Sequence, residues 1–234
     1  MASSDSKSGA GLISSTLLGN ETRICLDMAA KIEGPGRLLV GIAGPPGVGK
    51  STVAEALRDT INQASGATMA AIVPMDGFHL LNEVLAQRGL RDRKGAPETF
   101  DTEGFAALLT RVKAGEAPLP VPIYARGLGH PIPGGIILSA ENRIALVEGN
   151  YLYLKSGAWG GLSALFDRRL FLNADREECR RRLVPRHIAS GKTDEHARRH
   201  VETVDLRNYD LILKDLNPAE VVIYDNGGQA EATP

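Results

Sequence analysis

GPPGVGKST, residues 44–52, is the stretch that decides the fold of this 234-residue chain. It follows the apolar run RLLVGIA, residues 37–43, which is typical of a buried strand, and it matches the pattern GxxxxGK(S/T) in full. Its glycines allow a loop whose backbone N–H groups point inward at phosphate oxygens, and the helix that begins near Lys50 adds its positive dipole end. The sequence therefore predicts a phosphate-binding loop between a strand and a helix.

The loop also predicts how a nucleoside triphosphate is held, with ATP and Mg²⁺ as the expected cofactors. Lys50 should contact the β- and γ-phosphates, Ser51 should place its hydroxyl on Mg²⁺, and Thr52 offers a second hydroxyl near the α-phosphate. A glycine turn that only packs a helix on a strand would not explain the GKST sequence. The expected nucleotide-binding residues are Gly44, Pro45, Pro46, Gly47, Val48, Gly49, Lys50, Ser51 and Thr52.

Outward from this loop, apolar or β-rich runs alternate with helical patterns. The runs after the first strand lie at 69–75, 143–147, 168–172 and 220–224. The helical patterns lie at 16–32, 51–64, 102–114 and 175–190. This alternation predicts an α/β fold of the P-loop NTPase type, a three-layer sandwich with a central parallel sheet and helices on both faces.

The domain organisation is simple. Residues 115–142 carry many prolines and glycines, too many for regular packing and too apolar for disorder, which favours a substrate-covering insertion or hairpin that forms a lid over the acceptor site. Residues 1–13 and 225–234 are rich in small and polar residues, and we expect them to be mobile tails. A single kinase-sized domain is then expected at 14–224.

Composition argues against several function classes. The net charge of −1 and the pI near 6.5 provide no basic field for a nucleic-acid partner. Cys25 and Cys179 lie far apart and outside any CxxC pattern, as expected for packing residues in a reducing compartment. No apolar run approaches the roughly 18 to 20 residues of a membrane span. We therefore expect a cytoplasmic protein with no nucleic-acid or membrane partner, and homodimer formation is left open.

Two carboxylates are expected at the same sheet edge as the loop. Glu148 follows the strand Ile144–Val147, where it could hold the metal or a metal-bound water; a solvated glutamate at a strand end is the alternative. Asp76 ends the strand before it in sequence, beside the expected γ-phosphate position. Phosphoryl transfer to an alcohol needs a base within reach of the attacking hydroxyl, so Asp76 is the candidate; a plain Asp-Gly turn is the alternative.

The segments MDGFHLLNEVL, RGLRDRKGAPETFD and PIYAR, together with GPPGVGKST and VEGNYLY, resemble in order and spacing the uridine kinase, phosphoribulokinase and type I pantothenate kinase superfamily. The likeness covers about residues 37–224 and extends to small bacterial nucleoside or nucleotide kinase-like and fructose-transport-system kinase-like proteins. It implies that Asp76 is the base. It also implies that the acceptor lies near Arg93, Lys94, Glu98, Asp101 and Tyr124, for each of which a structured surface loop is the alternative.

The arginine-rich stretch 173–187 resembles the lid of that superfamily, which implies catalytic roles for Arg182 and Arg186. If the helix continues through Pro185 the two arginines share a face and can neutralise charge on the transferring phosphoryl group, whereas a break at Pro185 would separate them. One departure bears on the acceptor. Pantothenate kinases are longer and have a tyrosine where this chain has Cys179, so pantothenate itself is disfavoured.

The histidines divide into two groups. His196 and His200 are four residues apart, but no glutamate follows the first, no third ligand is evident and arginines flank them, so we interpret them as a polar helix face rather than a zinc site. His79 and His130 lie in acceptor-side segments and are candidates to bond an acceptor hydroxyl. Trp159 and Phe166 are expected in the core.

These patterns predict an ATP-dependent kinase acting on a hydroxyl group of a small molecule. A nucleotide-binding regulatory protein that uses the loop as a switch is an alternative, although it would have no use for Asp76 or the RKGAPETFD segment. A nucleoside monophosphate kinase is a further alternative, since Arg93 and Lys94 could clamp an acceptor phosphate. The patterns do not choose among sugar, nucleoside and pantothenate-like acceptors.

Overall fold

The computed structural model describes residues 13–125, 127–225 and 230–233. Within that part of the chain the α-helices are α1 (Ser15–Ala29), α2 (Lys50–Ser65), α3 (Asn82–Gln87), α4 (Thr102–Lys113), α5 (Arg176–Ala189), α6 (Asp194–His200) and α7 (Leu206–Lys214). A π-helical turn, Val201–Asp205, joins α6 to α7 without a break. The strands are β1 (Leu38–Ala43), β2 (Ala70–Pro74), β3 (Leu119–Ala125), β4 (His130–Leu138), β5 (Ile144–Gly149), β6 (Arg168–Ala174), β7 (Val221–Asp225) and β8 (Ala230–Thr233).

In the described residues the central sheet has the strand order β2-β5-β1-β6-β7-β8. Its strands run parallel except β8, which pairs antiparallel with β7. The carboxyl ends of β1, β2 and β5 therefore lie side by side at one edge. Because β1 is central and its neighbours come from later in the chain, this edge is where ligands bind in open α/β sheets.

The sheet separates two apolar cores, and alternate residues of β1 face each of them. Leu38, Val40 and Ile42 belong to the core that also contains α1, α2 and α5, whereas Leu39 and Ala43 belong to the core that contains α4 and the β3–β4 hairpin. Helices therefore cover both faces of the sheet. The predicted three-layer α/β fold is confirmed.

The Pro- and Gly-rich segment 115–142 forms the expected hairpin. β3 and β4 pair antiparallel from Leu119 opposite Leu138 to Ala125 opposite His130, with an irregularity between Val121 and Ile123. The hairpin packs on the 3₁₀ turn Met75–Phe78 that follows β2. A side chain at Gly77 would overlap the Pro122 carbonyl oxygen, so a glycine is required at this close approach.

The predicted elements match the structure within a few residues at their ends, and some elements were missed. The helix expected around His196 and His200 corresponds to α6, whereas the sequence did not predict α3, the π-helical turn with α7, or β8. Of the expected tails, residues 1–12, 226–229 and 234 lie outside the described residues, Ile13 is buried, and 230–233 form β8, so the mobility of both tails stays a prediction. No helix in the described part of the chain is both long enough and apolar enough to cross a membrane.

Arg37 fastens the start of β1 to the sheet's surroundings. Its guanidinium is 2% exposed and donates to the carbonyl oxygens of Asn142 at 2.7 Å, Val112 at 3.2 Å, Glu116 at 3.0 Å and Ser139 at 3.0 Å. These carbonyls belong to the end of α4 and to the turn after β4. The Arg37 side chain thus bonds the end of α4 and the turn after β4 to the start of β1. Burial lowers the pKa of its guanidinium.

We expect Arg37→Leu to lower the free energy of unfolding by about 2 to 4 kcal/mol, because four carbonyl oxygens lose a charged donor. Urea unfolding monitored by circular dichroism measures the change. Arg23→Leu is the matched control, since Arg23 is exposed and pairs with exposed Asp27; its effect should stay within about 0.5 kcal/mol. Equal effects of the two substitutions would contradict this role of Arg37.

Candidate active site

The phosphate-binding loop connects β1 to α2 and lies against the end of β6. A side chain at Gly44 would overlap the Leu172 carbonyl oxygen, and Gly44 has a φ of 152°, so the loop passes closer to β6 than another residue would allow. Val48 is fully buried and anchors the loop in the core. The remaining loop residues Pro46, Gly47, Gly49, Lys50, Ser51 and Thr52 line a cleft.

Lys50 is buried at the first position of α2. Its ammonium donates to the Pro45 carbonyl oxygen at 2.9 Å. Burial lowers the pKa of Lys50 to about 8, and the negative charges of Glu148 and Asp76 oppose that shift. A buried cation held by a neutral carbonyl oxygen fits a phosphate group, which would supply the missing negative charge.

Glu148 and Asp76 are where the sequence predicts them. In the sheet register Glu148 on β5 lies opposite Ile42 of β1 on one side and Pro74 of β2 on the other. Asp76 follows β2 by two residues, in the turn beneath the hairpin. Both residues line the cleft together with Ser51. The hydroxyl of Ser51 and the carboxylate of Glu148 are oxygen ligands of the kind Mg²⁺ prefers.

The cleft has a volume of about 1030 Å³ and extends well beyond the loop. This is at the upper end of the roughly 300 to 1,000 Å³ of ligand sites, which leaves room for a second molecule beside a nucleotide. The far part of the cleft is lined from three directions: by the segment between α3 and α4, by the hairpin, and by the wall that runs from the end of α5 to the π-helical turn.

Two predicted acceptor residues lie together under the hairpin. The His79 ring packs between Phe100 and Tyr124, with ring centroids 4.1 Å and 4.5 Å away, and its Nδ1 donates to the Asp76 carbonyl oxygen at 2.8 Å. Nδ1 carries the proton of this bond, because a carbonyl oxygen can only accept. His79 thus ties the backbone of Asp76 to the acceptor side of the cleft.

Lys94 joins three pieces of that wall. Its ammonium donates to Asn82 Oδ1 at 2.7 Å and to the Gly129 carbonyl oxygen at 2.7 Å, and it lies 5.3 Å from the centroid of the Tyr124 ring. The next residue, Gly95, is fixed as well, because its carbonyl oxygen accepts from the Tyr151 hydroxyl and from Asn208 Nδ2. The segment that carries Lys94 and Gly95 is therefore held to the residues just after β5 and to α7.

Other predicted residues do not line the cleft. Arg93 forms an ion pair with Glu98 at 2.6 Å, and both side chains are exposed. Asp101 caps α4 by accepting from the Gly104 N–H at 2.9 Å. These three residues stabilise the local chain, and their expected contacts with an acceptor stay predictions.

The lid arginines lie on one continuous helix, because α5 runs through Pro185. Arg186 lines the cleft. Arg182, one turn earlier on the same face, forms an ion pair with Glu178 at 2.6 Å and is absent from the cleft lining among the described residues. The structure thus brings Arg186, but not Arg182, to the phosphate site in this conformation.

The wall of the cleft that follows α5 was not predicted from the sequence. Lys192 Nζ donates to His187 Nδ1 at 3.0 Å, and His187 Nε2 donates to Asp205 Oδ2 at 2.8 Å. The His200 ring packs on His187 with centroids 4.7 Å apart, and burial lowers the pKa of His200 to about 4. These residues come together through the π-helical turn, and no local sequence pattern signals that pairing.

His196 and His200 both lie on α6, as expected of a polar helix face, and both line the cleft, but their surroundings differ. His196 is exposed, whereas half-buried His200 turns to His187 and Asp205, so that ligand atoms of these three residues lie within 4.8 Å of one another. The spacing alone would suit a metal ion. However, the Lys192 ammonium already occupies His187 Nδ1, and Arg186 and Arg199 line the same part of the cleft, so positive charges oppose a cation there.

The remaining expectations concern single residues. Trp159 and Phe166 are buried, and Trp159 Nε1 donates to the Pro97 carbonyl oxygen at 3.1 Å. His130 is exposed at the start of β4 and is absent from the cleft lining among the described residues. Cys25 and Cys179 are free and buried.

Comparison with known proteins places this geometry in a family. No family model matches the chain. It is 32% identical over 194 residues to "Putative uridine kinase C227.14" of Schizosaccharomyces pombe, an alignment that covers 80% of this chain and 83% of that protein. It is 35% identical over 138 residues to a pantothenate kinase of Enterococcus faecalis, with 58% of this chain and 45% of that protein covered.

A solved structure gives the same result. The crystal structure titled as a "putative fructose transport system kinase" from Silicibacter sp. TM1040 matches with a TM-score of 0.77 and 36% identity, covering 86% of this chain and 97% of that one. Together with the intact phosphate-binding loop and the strand-end carboxylates, these likenesses identify the family. The chain belongs to the superfamily of P-loop kinases that includes uridine kinase, phosphoribulokinase and pantothenate kinase.

Proposed function

We propose that this chain transfers the γ-phosphoryl group of ATP, in a magnesium-dependent reaction, to a hydroxyl group of a small metabolite of the sugar, nucleoside or pantothenate-like class. Its family makes it a small-molecule kinase. One observation carries the more specific proposal. Lys50, Asp76 and Glu148 meet at a single edge of the sheet, in a cleft that continues past them for a second substrate.

The loop and Lys50 bind the phosphates. Inward-facing N–H groups and the start of α2 attract the α- and β-phosphate oxygens, and the Lys50 ammonium exchanges the Pro45 carbonyl oxygen for phosphate oxygens. Ser51 and Glu148 are the residues that would hold Mg²⁺. When bound, this ion supplies charge neutralisation on the β- and γ-phosphates.

Asp76 is the proposed base. It accepts the proton of the acceptor hydroxyl while the acceptor oxygen bonds to the γ-phosphorus, and the bond from that phosphorus to the β,γ-bridging oxygen breaks to release ADP. Its position suits this role because the residues around it are fixed: Gly77 lies under the hairpin and His79 bonds the Asp76 carbonyl oxygen. Arg186, in the same cleft, would stabilise charge on the transferring group.

The regulatory alternative accounts for the loop only. It gives no role to the part of the cleft lined by His79, Lys94 and Tyr124, residues that lie outside the phosphate-binding loop. The nucleoside monophosphate kinase alternative relied on a clamp formed by Arg93 and Lys94, and Arg93 instead pairs with exposed Glu98, so this pair of residues gives that alternative no support. The small-molecule kinase therefore remains the better supported function. A cytoplasmic location stays a prediction.

ATP affinity should fall as the pH rises above about 8, because the Lys50 ammonium must be protonated to attract phosphates and its pKa in the nucleotide-free protein is about 8. The expected loss is about tenfold for each further pH unit. Titration with a non-hydrolysable ATP analogue between about pH 7 and 9.5 measures it. Lys50→Arg, which stays protonated, should show no such trend.

The stability of the nucleotide-free protein gives a second check on Lys50. Between the folded-state pKa of about 8 and the ordinary value of 10.5, the unfolded chain binds more protons than the folded one. The free energy of unfolding should therefore rise with pH over this range in the wild type, relative to Lys50→Met. Parallel pH profiles for the two proteins would show that Lys50 is not a buried cation.

Glu148→Gln should raise the Mg²⁺ concentration needed for half-maximal velocity about tenfold or more, because the carboxylate would lose its charge in the metal shell. Thermal unfolding without nucleotide should change little. Glu141→Gln, at an exposed turn, is the control. A magnesium titration that coincides with the wild type would remove Glu148 from the metal site.

Asp76→Asn keeps the side-chain shape while removing the base. Acceptor phosphorylation should slow by about 10²- to 10⁴-fold, equivalent to roughly 3 to 5 kcal/mol of transition-state stabilisation, whereas ATP affinity should barely change. Nucleotide titration and ADP release, performed on the same preparations, provide both numbers. Asp59→Asn, on the exposed side of α2, is the matched control. Wild-type turnover by Asp76→Asn would leave the residue with a structural role.

A further inference from the structure

The acceptor part of the cleft is more basic than the chain as a whole. Although the net charge of the protein is −1, this wall carries Arg91 and Lys94 from the segment before α4 and Lys192 and Arg199 from the region around α6. The carboxylates that line the cleft among the described residues are Asp76, Asp92, Glu148 and Asp205, which the lining lysines and arginines outnumber. Cations from two separate regions of the sequence therefore converge on one space.

The Lys94 ammonium is held by neutral groups. Its hydrogen-bond acceptors are an amide oxygen of Asn82 and the Gly129 carbonyl oxygen. Burial lowers the pKa of Lys94, and the charges of Arg91 and Lys192 lower it further, whereas the charge of Glu83 raises it. Arg91 and Lys192 line the same cleft as Lys94. Such an arrangement is unfavourable until an anion enters it.

The Lys192 ammonium is oriented from the other side of the cleft. Because the Lys192 ammonium can only donate, His187 accepts from it at Nδ1 and bonds Asp205 through Nε2. Burial lowers the pKa of Lys192, with Arg186 acting in the same direction and Asp205 against it. His187 and Asp205 are thus positioning residues that fix where the Lys192 ammonium lies.

The π-helical turn builds this arrangement. Val201–Asp205 interrupts the run from α6 to α7, and Asp205 is its last residue. π-helical turns are uncommon and often occur at functional sites, where they redirect side chains. Asp205, the last residue of the turn, bonds His187, and His200, the residue before the turn, packs on the same ring. A regular α-helix would not direct both side chains towards one ring.

We propose that Lys94 and Lys192, with Arg91, form a subsite for an anionic group of the acceptor, either a carboxylate or a phosphate monoester. The inference rests on the proposed kinase function and narrows it. The acceptor then carries both a hydroxyl group, which reaches Asp76, and a negative charge, which reaches the lysines. Hydroxy acids and phosphorylated polyols fit this description, and neutral sugars and neutral nucleosides do not.

The first experiment measures anion binding without turnover. The full-length protein is saturated with magnesium and a non-hydrolysable ATP analogue, so that the phosphate-binding loop is occupied, and is then titrated with inorganic phosphate or with malonate in a thermal unfolding assay. We expect one or both anions to raise the unfolding temperature, with sodium chloride at equal ionic strength as the reference. Lys192→Met and Lys94→Met should each remove the response, whereas Lys214→Met, at an exposed end of α7, should keep it.

The second experiment measures ADP release with acceptors that differ by one charged group: gluconate against glucose, glycerate against glycerol, and ribose 5-phosphate against ribose. We expect kcat/KM for a charged member to exceed that of its neutral partner at least about tenfold, and the pair that responds distinguishes carboxylate from phosphate. Lys192→Met should raise the acceptor KM about tenfold or more and leave the ATP KM unchanged. Lys192→Arg should restore most of the affinity for the acceptor. His187→Gln should also raise the acceptor KM without changing the ATP KM, but by a smaller factor.

The two experiments separate the proposals. Anion binding that depends on Lys94 and Lys192, without turnover of any acceptor, supports the subsite and counts against the kinase function. If a neutral acceptor is turned over as fast as its charged partner, the subsite is overturned and the kinase function stays in place. The same holds if neither anion changes the unfolding temperature.

Discussion

The buried positive charge of Lys50 is the feature on which the rest of the site depends. Removing an ammonium group from water costs several kcal/mol unless negative charge lies nearby. Here Glu148 and Asp76 supply part of that charge, and the Pro45 carbonyl oxygen supplies a hydrogen bond. The negative charge that is still lacking around Lys50 makes the site favour phosphate before any nucleotide binds. Binding energy and folding energy are therefore linked at this one side chain.

The order of the strands in the sheet brings the other groups of the site to the phosphate-binding loop. Because β1 lies beside β5, and β5 beside β2, three segments far apart in the sequence end at the same edge. One of them brings the loop, one brings Glu148 and one brings Asp76. Glu148 lies within β5, and the loop and Asp76 directly follow β1 and β2, so the buried parallel sheet fixes where all three begin, which favours the geometry that phosphoryl transfer needs.

Much of this arrangement could be predicted from the sequence, because it depends on local patterns. The loop, the strands and the two strand-end carboxylates are local, and they were placed correctly. The wall formed by His187, Lys192 and Asp205 could not be predicted, since it depends on a π-helical turn and on contacts across the cleft. Arg93 illustrates the opposite case: it lies next to Lys94 in a motif, yet a nearby carboxylate holds it on the surface.

The contact between Gly77 and Pro122 limits how this protein can diverge. Any larger residue at 77 would collide with the backbone of the hairpin, because the obstacle is a carbonyl group and not a side chain that could be exchanged. Substitutions in β3 alone therefore cannot relieve it. In relatives that keep the hairpin on this path the position after Asp76 should remain glycine, whereas relatives that lose the hairpin are free to vary there. The residue found at position 77 in a relative would then indicate whether that relative has kept the β3–β4 hairpin.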